Sequence, residues 1–237
     1  NTAVATVTIA GTNEAPTFAQ ASVVASVSEN STAVGTFTAS DVDAGTTLAY
    51  SLSGANASLF NINQTTGAVS FKVAPNYEVD ARSYSINVIA TDGGALTATQ
   101  AVTVNVTNVN EAPVIASSAT GTVAENAAIN TVIYTASATD VDASDLRTYS
   151  LKASTGDIAS LNIDPSTGAV TLKAAADYET KPTYSFTVVA TDAGGLSAEQ
   201  AVVVNVTNVN EAPTFAHASV VASVSENRTA VGTFTAS

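Results

Sequence analysis

Apolar and polar side chains alternate with a period of two along most of this chain. Tyr84, Ile86, Val88 and Ala90 form one stripe, and Val102, Val104 and Val106 form the next. The same stripes return at Tyr184, Phe186, Val188 and Ala190, and at Val202, Val204 and Val206. Successive residues of a strand point to opposite faces, so this pattern predicts strands with one face in a core. Shorter stretches read the same way at Val23–Val27, Val34–Ala39, Leu48–Leu52, Leu59–Ile62 and Ala68–Lys72, with turn residues such as Thr65-Thr66-Gly67 between them. No helical period is sustained anywhere. Seven strands per unit, with turn signals about every 8–12 residues, predict an all-β antiparallel Greek-key sandwich of the immunoglobulin-like type.

The strands fall into repeating units. Asn108-Val109-Asn110-Glu111-Ala112-Pro113 has relatives at Asn13-Glu14-Ala15-Pro16 and Asn208-Val209-Asn210-Glu211-Ala212-Pro213. The proline-to-proline spacings are 97 and 100 residues. Proline lacks a donor and fixes φ, so it separates one ladder from the next. The expected division is the last strand of a preceding unit in residues 1–13, full units at 14–110 and 111–210, and the first two strands of a further unit at 211–237. A longer repeat also exists: residues 17–40 and 214–237 differ only at Gln20 against His217 and Ser31 against Arg228. Two unit types therefore alternate, and the chain reads as a window cut from a longer protein.

Composition narrows the function. With 20 acids against 7 bases the net charge is −13. Seven scattered cations cannot neutralise a phosphate backbone, so nucleic acid is not an expected partner. No run of about 18 apolar residues is present, so no membrane span is expected. There is no Cys, Met or Trp, which excludes disulfides and thiolate metal sites. The one histidine is His217, so neither full unit can carry a Ser/His/Asp triad, and no enzyme is expected. A paired-carboxylate hydrolase would need a single cleft rather than repeated acids.

The acids are not scattered. Fifteen of the 20 recur at five places: the Glu ending the first strand (Glu29, Glu125, Glu226), the Asp pair after the second (Asp41 and Asp43, Asp140 and Asp142), the Tyr-Glu step (Glu78; Asp177 and Glu179), the Asp after the sixth (Asp92, Asp192) and the junction Glu (Glu14, Glu111, Glu211). Asp80, Asp145, Asp157, Asp164 and Glu199 read as solvated. Successive loops of a sandwich fall at alternate ends. Glu29, Glu78 and the junction then share the exit end of one unit, and Asp140, Asp142 and Asp192 the entry end of the next. Crowded carboxylates repel without a counterion. Ca2+ takes about 6–8 oxygen ligands at roughly 2.3–2.6 Å and suits such a set, whereas Mg2+ demands a strict octahedron.

These residues resemble the repeats of bacterial cadherin-like proteins. Glu-Asn is similar to that family's first-strand Glu motif, Asp-Val-Asp to its Asp-x-Asp turn, Asp177-Tyr178-Glu179 to its Asp-Tyr/Arg-Glu step, and Ala90-Thr91-Asp92 and Ala190-Thr191-Asp192 to its Ala-x-Asp. The resemblance covers both full units and the flanks. It implies cadherin-like sandwiches in a linear array with Ca2+ at the seams. The implied ligands are Glu29, Glu78, Asn108, Asn110, Glu111, Asp140, Asp142 and Asp192 at the central seam. Asn13, Glu14, Asp41, Asp43 and Asp92 would form part of an N-terminal seam. Glu125, Asp177, Glu179, Asn208, Asn210 and Glu211 would form part of a C-terminal one. The junction is one residue shorter than the family's Asp-x-Asn-Asp-Asn-x-Pro, and Asn76 stands where Asp is usual, so fewer ions per seam than the family's full complement are expected. Tyr77 and Tyr178 are expected as anchors under their loops.

The implied function is a calcium-stiffened extender of a large secreted or surface adhesin, located outside the cell. Its partners would be neighbouring repeats of the same chain, with homophilic contacts or assembly through the incomplete terminal units in addition. The alternative is that the repeats themselves bind, homophilically or to carbohydrate. A calcium-independent immunoglobulin-like linker would not respond to chelation.

Overall fold

The computed structural model describes residues 11–142, 146–213, 215 and 221–235. Two compact bodies are present. Among the described residues, the first holds 11–111 together with Val141 and Asp142, and the second takes the remainder.

In the first body the strands are β1 (Thr17–Phe18), β2 (Ser22–Ser28), β3 (Ala33–Thr36), β4 (Ala39–Ser40), β5 (Ala49–Ser53), β6 (Phe60–Ile62), β7 (Ala68–Phe71), β8 (Ser83–Thr91) and β9 (Thr97–Thr107). One sheet has the order β2-β9-β8-β5, the other β3-β7-β6, and β1 pairs with β4. The second body repeats this with β10 (Val114–Ile115), β11 (Thr120–Ala124), β12 (Val132–Thr135), β13 (Ala138–Thr139), β14 (Thr148–Leu151), β15 (Leu161–Ile163), β16 (Ala169–Leu172), β17 (Thr183–Thr191) and β18 (Ser197–Thr207). Its sheets run β11-β18-β17-β14 and β12-β16-β15.

The period-two stripes are the cores. Ile86, Val88 and Ala90 of β8 and Val102, Val104 and Val106 of β9 are buried, as are Phe186, Val188 and Ala190 of β17 and Val202, Val204 and Val206 of β18. Full burial of a valine side chain contributes roughly 1.5–3 kcal/mol, so these four stripes supply a large share of the hydrophobic stabilisation. The two cores place their aromatic bulk differently. The first packs Phe60 on Phe71 at 4.3 Å and sets Tyr84 edge-on to Phe71 at 5.2 Å. The second has Leu161 and Leu172 at the Phe positions, and packs Tyr134 edge-on to Phe186 at 5.8 Å. Tyr134 occupies the strand position of Gly35. Cores tolerate such exchanges when total volume is kept.

Three local expectations are corrected. First, the sandwich is not wholly antiparallel, because β2 pairs in parallel with β9 and β11 with β18. A first strand parallel to the last places entry and exit at opposite ends of each body, as a tandem unit requires. Second, the strand expected at Val34–Ala39 is broken at Phe37. The Phe37 N–H donates to Gly67 O at 3.0 Å, and the Ala39 N–H to the Tyr50 hydroxyl at 3.1 Å. That side-chain acceptor replaces a ladder partner, and the chain crosses to β1. Tyr149 accepts the Ala138 N–H at 3.1 Å in the second body. Third, Leu59 closes a 3-10 turn over Ala57–Leu59 and the strand begins at Phe60. Gly67 is required where it stands: its φ is +72° and a Cβ would lie 2.2 Å from Phe37 O.

The strand expected within residues 1–12 falls mostly outside the described residues, as do 214 and 216–220 of the terminal segment. Residues 221–235 are exposed and belong to no strand.

Candidate metal centre

At the end of β2 the chain turns through Glu29 and Asn30. Glu29 is only 2% exposed. One of its oxygens accepts the Val109 N–H and the other the Tyr77 N–H, both at 2.8 Å. The carboxylate thus ties the end of β2 to the stretch after β9 and to the loop between β7 and β8. Asn76 Oδ1 accepts the N–H groups of Glu78 and Val79, at 3.0 and 2.9 Å, and turns the Glu78 side chain inward. This local turn is the role Asn76 plays here. Glu111 is fixed by the Asn30 amide, which donates to its Oε1 at 3.0 Å.

The result is a cluster in which Glu29, Glu78 and Glu111 each offer an oxygen within 4.8 Å of the others. Oε2 of Glu78 and Oε2 of Glu111 are buried without a hydrogen-bond partner. Burial, and then the Glu29 charge, push the Glu78 carboxyl above its ordinary range. Burial raises that of Glu111 too, helped by the charges of Glu29, Asp142 and Glu78. Asp142, which packs with the first body, accepts Asn108 Nδ2 at 2.6 Å and the Glu111 N–H at 2.9 Å. Those two donors hold its carboxyl below the usual value.

The second body builds the same end. Glu125 is 4% exposed and accepts the N–H groups of Val209 and Tyr178. The Val209 N–H above all, with the Tyr178 N–H, holds its carboxyl below the usual value. Glu125, Asp177 and Glu179 form the second cluster within 4.8 Å. Asp177 accepts both the N–H and the hydroxyl of Thr180, each at 2.9 Å, and is held low by them. Glu179 accepts Asn208 Nδ2 at 2.8 Å. Its own backbone N–H favours the charged form, but burial and the Glu125 carboxylate together raise it. Glu211 receives the Asn126 amide at 2.7 Å.

The entry ends hold the other acids. In the first body Asn13 Nδ2 donates to Asp92 Oδ2 and the Glu14 N–H to Asp43 Oδ2, both at 2.9 Å. The Asp43 N–H closes on Asp41 Oδ1 at 2.9 Å, and Asp41 Oδ2 is buried without a hydrogen-bond partner. Asp92 Oδ1 accepts the N–H groups of Gly94 and Leu96, both at 2.8 Å. In the second body Asp140 follows β13 and is half-buried, while Asp192 is 5% exposed and accepts the Leu196 N–H at 2.8 Å. Asn110 donates to the Glu111 carbonyl at 3.4 Å, and Asn210 is exposed.

Sequence reasoning missed Asn30 and Asn126 as partners of these sites, although both sit in the recurring Glu-Asn step that singled out their neighbours. It also overreached at Tyr178. Tyr77 packs on its core beneath the Arg82 guanidinium, 4.1 Å from the ring centroid. Tyr178 is 38% exposed, and the position of Arg82 is held by Pro182, which offers no guanidinium to stack on it.

Both clusters are built of oxygens, with no nitrogen or sulfur ligand. The salt bridges among the described residues, Lys152–Glu199 and Lys181–Asp157, do not reach them. Buried carboxylate oxygens without donors are costly unless a cation joins them. A hard divalent ion with adaptable oxygen coordination, above all Ca2+, fits this donor set.

A family model described as "Cadherin domain" matches residues 23–107 and 119–207. Human protocadherin Fat 4 is 36% identical over 199 residues, covering 78% of this chain and 4% of that protein. Human protocadherin gamma-B4 is 32% identical over 228 residues, covering 91% and 24%. The chain therefore spans a small part of such relatives. Among solved structures, mouse cadherin-23 EC22-24 superposes with a TM-score of 0.64 at 26% identity, covering 95% of this chain and 78% of that one. The protocadherin gammaB4 extracellular domain gives 0.62 at 26% identity, covering 94% and 37%. These matches give the fold as tandem cadherin-like sandwiches, and the chain belongs to the cadherin domain family.

Proposed function

We propose that this segment is a calcium-stiffened extender of a long extracellular adhesion protein. One observation carries the reading. A carboxylate cluster stands at the exit end of both repeats, Glu29, Glu78 and Glu111 in the first and Glu125, Asp177 and Glu179 in the second, and in the first repeat two of its oxygens are buried without a donor. A catalyst needs one site, whereas a spacer needs the same site in every repeat. Ca2+ would join these oxygens and fix the junction Glu-Ala-Pro against its repeat. The ligands assigned are those named above from the sequence, including Asp140 and Asp192 and, for the outer seams, residues of neighbouring repeats. The boundaries at 13/14, 110/111 and 210/211 follow from the same seams. Extracellular calcium modules bind at roughly 10⁻⁴–10⁻³ M, so ambient calcium would set the stiffness. A bacterial surface adhesin as the parent rests on the motifs alone; the relatives named here are animal proteins and do not bear on it.

Small-angle X-ray scattering of this chain across a calcium titration, with EGTA as the zero point, tests the reading. The maximum dimension is expected to rise with calcium, and Glu78→Ala or Asp142→Ala to abolish the rise. A profile unchanged from EGTA to millimolar calcium removes the calcium assignment. Self-association that grows with concentration in calcium would turn the repeats from spacer into homophilic binder.

A further inference from the structure

Each Glu-Asn step places its asparagine in a conformation few residues adopt. Asn30, Asn126 and Asn227 have φ of 61°, 62° and 67°. The left-handed region is open to glycine and, among residues with a side chain, most readily to Asn and Asp. In both repeats the backbone uses this turn identically: the Asn30 N–H donates to Pro75 O at 3.0 Å and the Asn126 N–H to Ala176 O at 2.8 Å. Glycine would serve that backbone equally well. What glycine lacks is the amide, and in both repeats the amide donates to one oxygen of the junction glutamate, Glu111 at 3.0 Å or Glu211 at 2.7 Å. Aspartate would tolerate the φ but set a second carboxylate against the first. Asparagine alone satisfies both demands. In the first repeat this bond occupies Glu111 Oε1 and leaves Oε2 buried with no hydrogen-bond partner.

We propose that Asn30 and Asn126 are positioning residues for cation binding, each orienting the junction glutamate through its amide without contacting the ion. This rests on the calcium reading above. A flexible glutamate must lose rotamer freedom to ligate, and a donor that fixes one oxygen beforehand removes part of that cost on binding. Loss of such an outer partner typically weakens metal affinity by about 10–100-fold.

The test is Asn30→Gly in the full chain, titrated with Ca2+ and followed by NMR. The Tyr77 and Val109 amides report the first repeat, and the Tyr178 and Val209 amides are an internal control in the second. The calcium affinity of the first repeat is expected to fall by about 10–100-fold, with the second unchanged and the melting temperature in EGTA near wild type. In a Glu111→Gln background, Asn30→Gly is expected to cause no further loss, since its partner carboxylate is already gone. The reciprocal Asn126→Gly variant, read at Tyr178 and Val209, carries the same test should the first variant fold poorly. Wild-type affinity in both glycine variants, or an equal further loss in the Glu111→Gln background, overturns the positioning role while leaving calcium binding intact. A wild-type chain that ignores calcium overturns both.

Discussion

Replacing Glu29 by Gln separates the two jobs of this side chain. The carboxylate accepts two backbone N–H groups at 2.8 Å and sits with Glu78 and Glu111 in one cluster. A glutamine keeps one acceptor oxygen but presents an NH2 group to the other N–H donor. One charge-assisted bond is lost, worth about 1.5–3 kcal/mol. Two like-charge contacts are lost as well. At 4.8 Å, the outer limit of the cluster's separations, each costs about 0.9 kcal/mol in water and about 3.5 kcal/mol at an effective dielectric of about 20. Glu78 and Glu111 are half-buried, so the true value lies between. In EGTA the two effects oppose each other: relief of two contacts, about 1.8–7 kcal/mol together, stands against a lost bond of about 1.5–3 kcal/mol, so the first repeat should lose at most about 1 kcal/mol and can gain up to about 5 kcal/mol. In saturating calcium the repulsion is already neutralised and a ligand is lost, so the same substitution should be plainly destabilising. Hydrogen exchange at the Val104 amide reads the first repeat, with Val204 as the unperturbed reference in the second. Every 1.4 kcal/mol changes exchange about tenfold. An equal loss with and without calcium would refute the argument, because Glu29 would then be a brace and nothing more.

Gly67→Ala should destabilise the first repeat by more than about 2 kcal/mol, since the left-handed φ alone costs about 1–3 kcal/mol and the added Cβ would overlap Phe37 O at 2.2 Å. Unchanged exchange at Val104 would contradict the close approach of that hairpin to Phe37. Asp157, read from the sequence as solvated, instead accepts Lys181 Nζ and the Ser185 N–H, both at 2.7 Å. Burial alone would raise its carboxyl, but those donors hold it below its ordinary 3.8. A depressed carboxyl stabilises the fold above its unfolded pKa, and that stability is lost as pH falls through the folded value. The second repeat should therefore lose stability below about pH 4, and Asp157→Asn should flatten that loss. A side-chain NMR titration placing Asp157 at or above 3.8 would sink this assignment.

The sequence by itself determined the long strands, the two core stripes and the places where the acids recur. Period-two stripes are local, and Val88, Val104, Val188 and Val204 are fully buried where the stripes place them. The recurrence of 15 acids at five places was legible because each place is a short motif. Tertiary structure decided what those motifs do. Glu29 meets donors 48 and 80 residues away; the alternation of loops puts these residues at one end, but only packing brings them within hydrogen-bond reach. The parallel pairing of β2 with β9 is likewise a choice of partner, invisible to periodicity. The break at Phe37 depends on the Tyr50 hydroxyl arriving from another strand. The different settings of Tyr77, stacked under Arg82, and of Tyr178, 38% exposed, appear only in the packed chain. The recurring Glu-Asn step marks Asn30 and Asn126 in the sequence, but their role shows only once φ and the facing carboxylate are known. Sequence periodicity fixes which face a side chain takes; only the packed chain brings distant oxygens within reach of one ion.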